Sequence, residues 1–589
     1  MRKKKIVFQS DFALAKTGFG RNAKAILSYL HKTGKYDLVH YCCGTNWSNA
    51  ELQATPWKSV GCLPDSQQQL QELNRDPNLA RAANYGAHFL DRVINEEKPD
   101  IYLAVQDIWG VDFAIDKPWF DKINSVIWTT LDSLPILPTA IEKADKIKNY
   151  WIWSNFATKE LNKMGHEHVK TVHGAVDPEF FYKINDHDRF ELRKKHHIST
   201  DDFVIGFVFR NQLRKSVPNL LEGYKLLKEK DLKGKKTKLL LHTHFGEGWN
   251  IMRLVKEYGI NPEEILTTYK CKDCKNYEVR PFKGQDIKCS NCGSEKGLIT
   301  TNVANGISEK ELNEVYNLMD VYCHPFTSGG QEIPIQEAKL TELITLVTNY
   351  SCGEDSCTEE GGGFPLDWAE YREPGTQFIK ASTLPESICD GINKVFTMPL
   401  EQRFSLGRKA RKFVKDNFSI EVIGKKFEQI IDAMPDVDWD YDFKKIAADP
   451  NYNPPDIKSN KDWLIDLYKN ILKREVDDSD DGHKYWTQEM SNGADRASVL
   501  NYFKKVAKDT NKQEDKIDFE NMLDKEDKGK RIAVVLPQAQ KDVFSLTSIL
   551  PSIKKLYPDH NIYFITSPDC FDVLDGNPFI HEPIPYSDQ

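Results

Sequence analysis

Short apolar runs alternate with helix-patterned stretches through most of this chain, and that alternation restricts the fold more than any other feature. The first series is Ile6-Val7-Phe8, Leu38-Val39-His40-Tyr41, Ile101 to Val105, Val126-Ile127-Trp128, Trp151-Ile152-Trp153 and Val169 to Val172. A second series opens near Asp202 with Phe203 to Phe209, then Leu239-Leu240-Leu241, Val321-Tyr322-Cys323 and Thr345 to Asn349. Strand and helix in alternation predict an α/β fold with parallel, doubly wound sheets. Such sheets bind ligands at the carboxyl ends of their strands. At 589 residues the chain is too long for one core and predicts three to five domains.

The polar residues at those strand ends are therefore the candidate site. Val321-Tyr322-Cys323 runs into Thr327-Ser328-Gly329-Gly330, and Pro334 then opens a helix through Leu340. Strand, glycine turn and helix offer the free N–H groups of Gly329 and Gly330 to a phosphate or a sugar hydroxyl. Glu337, in the first turns of that helix, carries a carboxylate suited to a vicinal diol. The strand Phe203 to Phe209 ends in Arg210-Asn211-Gln212-Leu213-Arg214-Lys215. Arg210 and Lys215 there are either an oxyanion grip or a solvated basic loop. Near the start, Gly18 and Gly20 make either a ligand contact or a tight turn before a helix through Leu30. Gln106-Asp107, Thr130 with Asp132, and Ser154-Asn155 sit at further strand ends, with Asp107 either catalytic or a helix cap. His242 and His244 alternate after another strand but have no third metal ligand beside them.

Together these stretches resemble retaining, nucleotide-sugar-dependent glycosyltransferases of the glycogen-synthase and sucrose-synthase-like group, of family 4-like type. Pro334, Glu337 and Ala338 match the second half of that group's donor signature, and Arg210 with Lys215 resembles its Arg-x4-Lys pair. His173-Gly174-Ala175-Val176-Asp177 is similar to the turn that closes its first domain. The resemblance implies two Rossmann-like domains (GT-B), 1–178 facing the acceptor and 202–432 binding the donor. It implies a UDP- or GDP-sugar as donor and a glycan, a protein or hydroxymethylated DNA as acceptor. Glu337 would hold the ribose, Arg210 and Lys215 would neutralise the departing diphosphate, and Asp107 would orient the acceptor or act in catalysis. Two positions depart from the pattern. The first signature glutamate falls on Gly329, with Glu332 three residues on, and Gln106 stands where the group often has a histidine. These departures favour the alternative of a non-catalytic scaffold or binding protein.

Cys271-Lys272-Asp273-Cys274 and Cys289-Ser290-Asn291-Cys292 are two C-x2-C knuckles separated by fourteen residues. Four thiolates at this spacing close a tetrahedral structural shell, for zinc or for a rubredoxin-like iron. They predict a ribbon at 268–296 inserted in the second domain. Beyond a 433–459 linker, 460–508 resembles a small helical domain that recurs beside glycosyltransferases, which implies an adaptor for a further protein partner. A charged linker at 509–530 leads to 531–589, which is similar to the opening βαβ of heptosyltransferase-like enzymes and implies a partial second glycosyltransferase-like domain. The formal charge of -8 gives no global nucleic-acid footprint. No apolar run reaches the roughly 18 residues of a membrane span. Twelve cysteines after a first strand instead of a secretory leader predict a cytoplasmic protein without a disulfide framework.

Overall fold

The computed structural model describes residues 2–586 apart from 231–235, 303, 440–450, 456, 473, 475, 477–479, 513–522, 525–526, 528 and 537–539. Much of the expected 433–459 linker and of the charged 509–530 linker lies outside the described residues. The chain divides into two units, 1–443 and 444–589.

The first unit has two lobes. The first lobe holds β1 (Lys4–Asp11), β2 (Tyr36–Asn46), β3 (Lys58–Leu63), β4 (Ile101–Val105), β5 (Asn124–Thr129), β6 (Asn149–Ile152) and β7 (Lys170–Thr171). All are parallel, in the order β3-β2-β1-β4-β5-β6-β7. Each residue of Ile101-Tyr102-Leu103-Ala104-Val105 is buried because helices cover both faces of the sheet. β3 was not foreseen, since Lys-Ser-Val-Gly-Cys-Leu is an edge strand with too little apolar character to stand out.

The second lobe holds β8 (Asp202–Val208), β9 (Lys236–His242), β10 (Ile265–Cys271), β11 (Tyr277–Pro281), β12 (Leu298–Thr300), β13 (Val321–His324), β14 (Thr345–Thr348) and β15 (Gly363–Leu366). Its parallel core runs β10-β9-β8-β13-β14-β15. Both lobes therefore reverse winding beside their first strand, between β1 and β4 and between β8 and β13. The loops leaving those four strands open into a crevice.

Two boundaries differ from the sequence reading. The ribbon is not a separate insertion at 268–296. β10 pairs with β9 in the main sheet and continues to Cys271, and β11 and β12 pair antiparallel on β10. The last helix of the second lobe's sequence, Ile420–Ala433, packs on the first lobe. Phe427 there packs against Trp128 with ring centres 4.7 Å apart and meets Trp151 edge-on at 5.3 Å, so periodicity found the helix but not its partner.

The second unit contains helices Asn460–Asn470, Asp481–Ser491 and Arg496–Lys512. They close over Trp463, Leu464, Leu467, Met490, Val499 and Phe503. It also holds a parallel three-stranded sheet of Lys530–Val535, His560–Thr566 and Glu582–Pro585. Among the described residues, no helix is long and apolar enough to cross a membrane.

Candidate active site

The two crevices meet in one cleft of about 490 Å³, bordered by Gly18, Asp107 and Thr130 of the first lobe and by Arg210, Arg214 and Lys215 of the second. Gly329, Gly330, Glu332 and Glu337 also line it.

The basic loop follows β8. Arg210 is 60% exposed and 3.6 Å from Glu247. Lys215 lines the cleft but is not open to water. Its side chain is 3% exposed and ion-paired with Glu332. Arg214 reaches the same carboxylate at 2.5 Å. Burial would raise the Glu332 carboxyl, but Arg214 and then Lys215 outweigh it and hold it well below the usual carboxylate range. Burial, helped by Arg214, brings Lys215 down to about 8. His324, at the end of β13, is drawn down to about 4 by burial and by Lys215, so it is neutral at pH 7. Its Nδ1 lies 2.9 Å from the Tyr322 hydroxyl, which itself donates to the Val208 carbonyl. Its Nε2 is thereby left to accept from Lys215 at 3.4 Å.

Glu332 also bears on the missing acid at 329. A Cβ built on Gly329 would meet Glu332 Oε1 at 2.5 Å. The carboxylate from position 332 thus fills the space a side chain at 329 would enter. The Gly329 N–H is not free for a ligand, because it donates to Ser351 Oγ at 3.3 Å. Gly330 is small for another reason. A Cβ there would lie 2.2 Å from Thr130 Cβ, so the turn is pressed against the first lobe.

Glu337 is buried, and both its oxygens have partners. Arg21 Nη1 donates to Oε1 at 2.6 Å and the Tyr316 hydroxyl donates to Oε2 at 2.7 Å. Burial raises this carboxyl and Arg21 opposes it. Each oxygen keeps a second lone pair, so the carboxylate can still accept from a diol. Arg21 comes from the first lobe, one residue after Gly20. Gly20 itself is not in the cleft wall. A Cβ there would meet the carbonyls of Ala15 at 2.6 Å and Phe12 at 2.8 Å, so the turn has room only for glycine. Gly18 does line the cleft.

Asp107 does not cap the short helix Ile108–Val111 with its side chain. It accepts from Thr130 Oγ1 instead, and burial raises its carboxyl despite that bond. Gln106 turns away to Asp11. Gln331 ties the lobes together, accepting from Gly174 N–H at 2.7 Å and donating to Gly174 O at 3.0 Å.

The four cysteine sulfurs lie within 4.8 Å of one another. Cys271 to Cys292 is 3.7 Å and Cys274 to Cys289 is 3.8 Å. A tetrahedron with metal–sulfur bonds of about 2.3 Å has edges of about 3.8 Å, and a disulfide would need about 2 Å. Lys275 at φ 62° and Gly293 at φ 76° take the left-handed turn after each pair. The donor set and its geometry fit a metal.

Of the cleft residues expected from sequence, Arg210, Lys215, Asp107, Glu337, Gly18, Gly329 and Gly330 border the cleft and Gly20 does not. The sequence reading passed over Arg21, Arg214, Tyr316 and His324. Arg214 adjoins Lys215 and Arg21 adjoins the glycine loop, so both were in view. Tyr316 lies in the helix Glu309–Asn317, where nothing local marks it as a partner of Glu337.

Two lobes wound in this order, with facing switch points, define the glycosyltransferase B fold. The structure aligns with a glycosyltransferase from Rickettsia africae at a TM-score of 0.51 and 15% identity, over 74% of this chain and 99% of that one. It aligns with HepE of Anabaena, solved with UDP and glucose, at a TM-score of 0.50 and 13% identity, over 73% of this chain and all of that one. In sequence, 195 residues are 24% identical to the capsular polysaccharide biosynthesis glycosyltransferase CapM of Staphylococcus aureus, over 32% of this chain. The match spans 47% of that relative, about half its length. Residues 455–511 match the family described as a domain of unknown function, DUF4214.

Proposed function

We propose that the chain is a retaining glycosyltransferase that moves a sugar from a UDP- or GDP-sugar to a glycan, a protein or hydroxymethylated DNA. The observation that carries this reading is the cation cluster Arg210, Arg214 and Lys215 lining one cleft together with the buried Glu337. The solved relative that holds UDP and glucose supports the choice of donor class. Breaking the bond to the sugar leaves charge on the diphosphate. Arg210 is exposed and placed to grip it, and Lys215 supplies a preorganised charge. Glu337 is held by Arg21 and Tyr316 to receive the ribose hydroxyls. Asp107 lies on the first-lobe side, where it orients the attacking hydroxyl. Attack on the face from which the diphosphate departs needs no enzyme nucleophile.

The Cys271, Cys274, Cys289 and Cys292 cluster holds a structural zinc in this reading, or an iron, and elemental analysis should find one ion per chain. The helical module at 460–508 is the surface for a further protein partner. We place the chain in a reducing cytoplasm, where Cys271, Cys274, Cys289 and Cys292 stay available as thiolates for a metal.

A non-catalytic scaffold is the second reading, favoured by Gly329 in place of an acid and by the prior pairing of Lys215 with Glu332. A thermal-shift screen of nucleotide sugars followed by donor hydrolysis separates the two. The enzyme reading expects a stabilising donor that is slowly hydrolysed, and binding without any turnover would leave the scaffold.

A further inference from the structure

The cysteine cluster and the cleft are joined by a continuous set of strands and hydrogen bonds. β10 carries the metal ligand Cys271 at one end, and at the other it pairs with β9, whose exit brings His242 and His244 into the cleft. β12 runs antiparallel on β10, with Cys271 opposite Leu298 and Tyr269 opposite Thr300. One residue beyond β12, Thr301 is in the cleft wall.

Thr300 is the junction. Gln285, from the loop between the knuckles, donates to its Oγ1 at 2.6 Å and accepts from its N–H at 2.8 Å. His244 Nδ1 lies 3.1 Å from the Thr300 carbonyl and 2.9 Å from its hydroxyl, which fixes the ring at the cleft edge. The next loop is anchored to the same strand, with Asn305 donating to the Lys270 carbonyl at 3.1 Å. Lys270 pairs with Glu311 at 2.8 Å, and Glu311 closes the capping box of the helix Glu309–Asn317. That helix carries Tyr316, which holds Glu337. The ribbon's own apolar core is small, with only Tyr269, Cys271, Cys289 and Leu298 buried. So little buried surface does not keep β12 in place unless the cysteines are clipped together.

We propose that the four-cysteine ribbon is a metal-dependent brace for the cleft wall formed by His244, Thr301, Ile307 and Leu312, so that metal occupancy controls the affinity of the cleft for a nucleoside diphosphate. The nucleotide half of this inference rests on the function proposed above. The bracing half does not.

The test uses the full chain, zinc-loaded and then stripped with a chelator. Amide hydrogen exchange should quicken by about tenfold or more across residues 304–312 when zinc is removed, slow again on its return, and stay unchanged in β1, β4 and β5. UDP and GDP affinities, read by calorimetry, should fall by about tenfold on the same treatment. Gln285→Ala cuts the tie to Thr300 without touching a cysteine. It should bind zinc normally and reproduce the faster exchange at 304–312. Unchanged exchange there after zinc loss overturns the brace, and so does unchanged nucleotide affinity in protein that binds nucleotide. If zinc-loaded protein binds neither UDP nor GDP, the functional reading fails while the exchange result still decides the brace.

Discussion

The two lobes share a strand order and differ in the charge at their switch points. Where β1 and β4 end, the first lobe offers Asp11 and Asp107, with Asp132 just beyond β5. Where β8 and β13 end, the second lobe offers Arg210, Arg214 and Lys215 around a single buried Glu332. The first lobe's Arg21 reaches across to Glu337. One backbone plan thus makes two different walls. The crevice comes from the winding, and the side chains in the loops give one wall its carboxylates and the other its cations.

The largest test of that division is Lys215→Ala. A preorganised cation that acts on the developing charge should cost about 10²–10³ in kcat when removed, with a smaller loss of nucleotide affinity. Arg214 stays paired with Glu332, so the variant should remain folded, which its melting curve will check. Equal turnover of wild type and variant would take the second wall out of the chemistry.

Glu337→Ala should weaken nucleoside diphosphate binding by about 1.5–3 kcal/mol, the scale of a hydrogen bond to a charged group. Calorimetry with UDP and GDP reads this directly, and an unchanged affinity would remove the ribose role.

Asp107→Asn tests the opposite wall. It should raise the acceptor KM by about tenfold, or about 1.4 kcal/mol, and leave donor hydrolysis as it was. A matching loss in both reactions would mean that the lobes do not divide the work.

The smallest effect is in pH. Lys215 is a cation below its pKa of about 8 and loses that charge above it. On the alkaline side kcat/KM should be about half its plateau near pH 8 and keep falling, and Lys215→Arg should move that limb upward. A profile flat to pH 9.5 would contradict the burial of this side chain.

The sequence by itself determined the elements and the chemistry they carry. Buried parallel strands must be continuous apolar runs, so Ile101 to Val105 and Phe203 to Phe209 were legible. The crevice of a doubly wound sheet lies beyond such runs, so Arg210, Lys215, Asp107 and Glu337 could be placed at the cleft from position. The cysteine spacing likewise fixed a four-sulfur cluster, because a knuckle is a local structure. Only the tertiary structure decided what each charge meets. No local rule pairs Arg21 with Glu337 across 316 residues, or turns Glu332 back over Gly329 to neutralise Lys215. Gly330 read as a ligand glycine, but the side chain that presses on it, Thr130, comes from the other lobe. The ribbon read as an insertion because a spacing pattern does not show that β10 is at once a strand of the main sheet and the carrier of one of the four clustered cysteines. Burial and pairing depend on contacts distant in sequence, and those contacts exist only once both lobes have closed on the cleft.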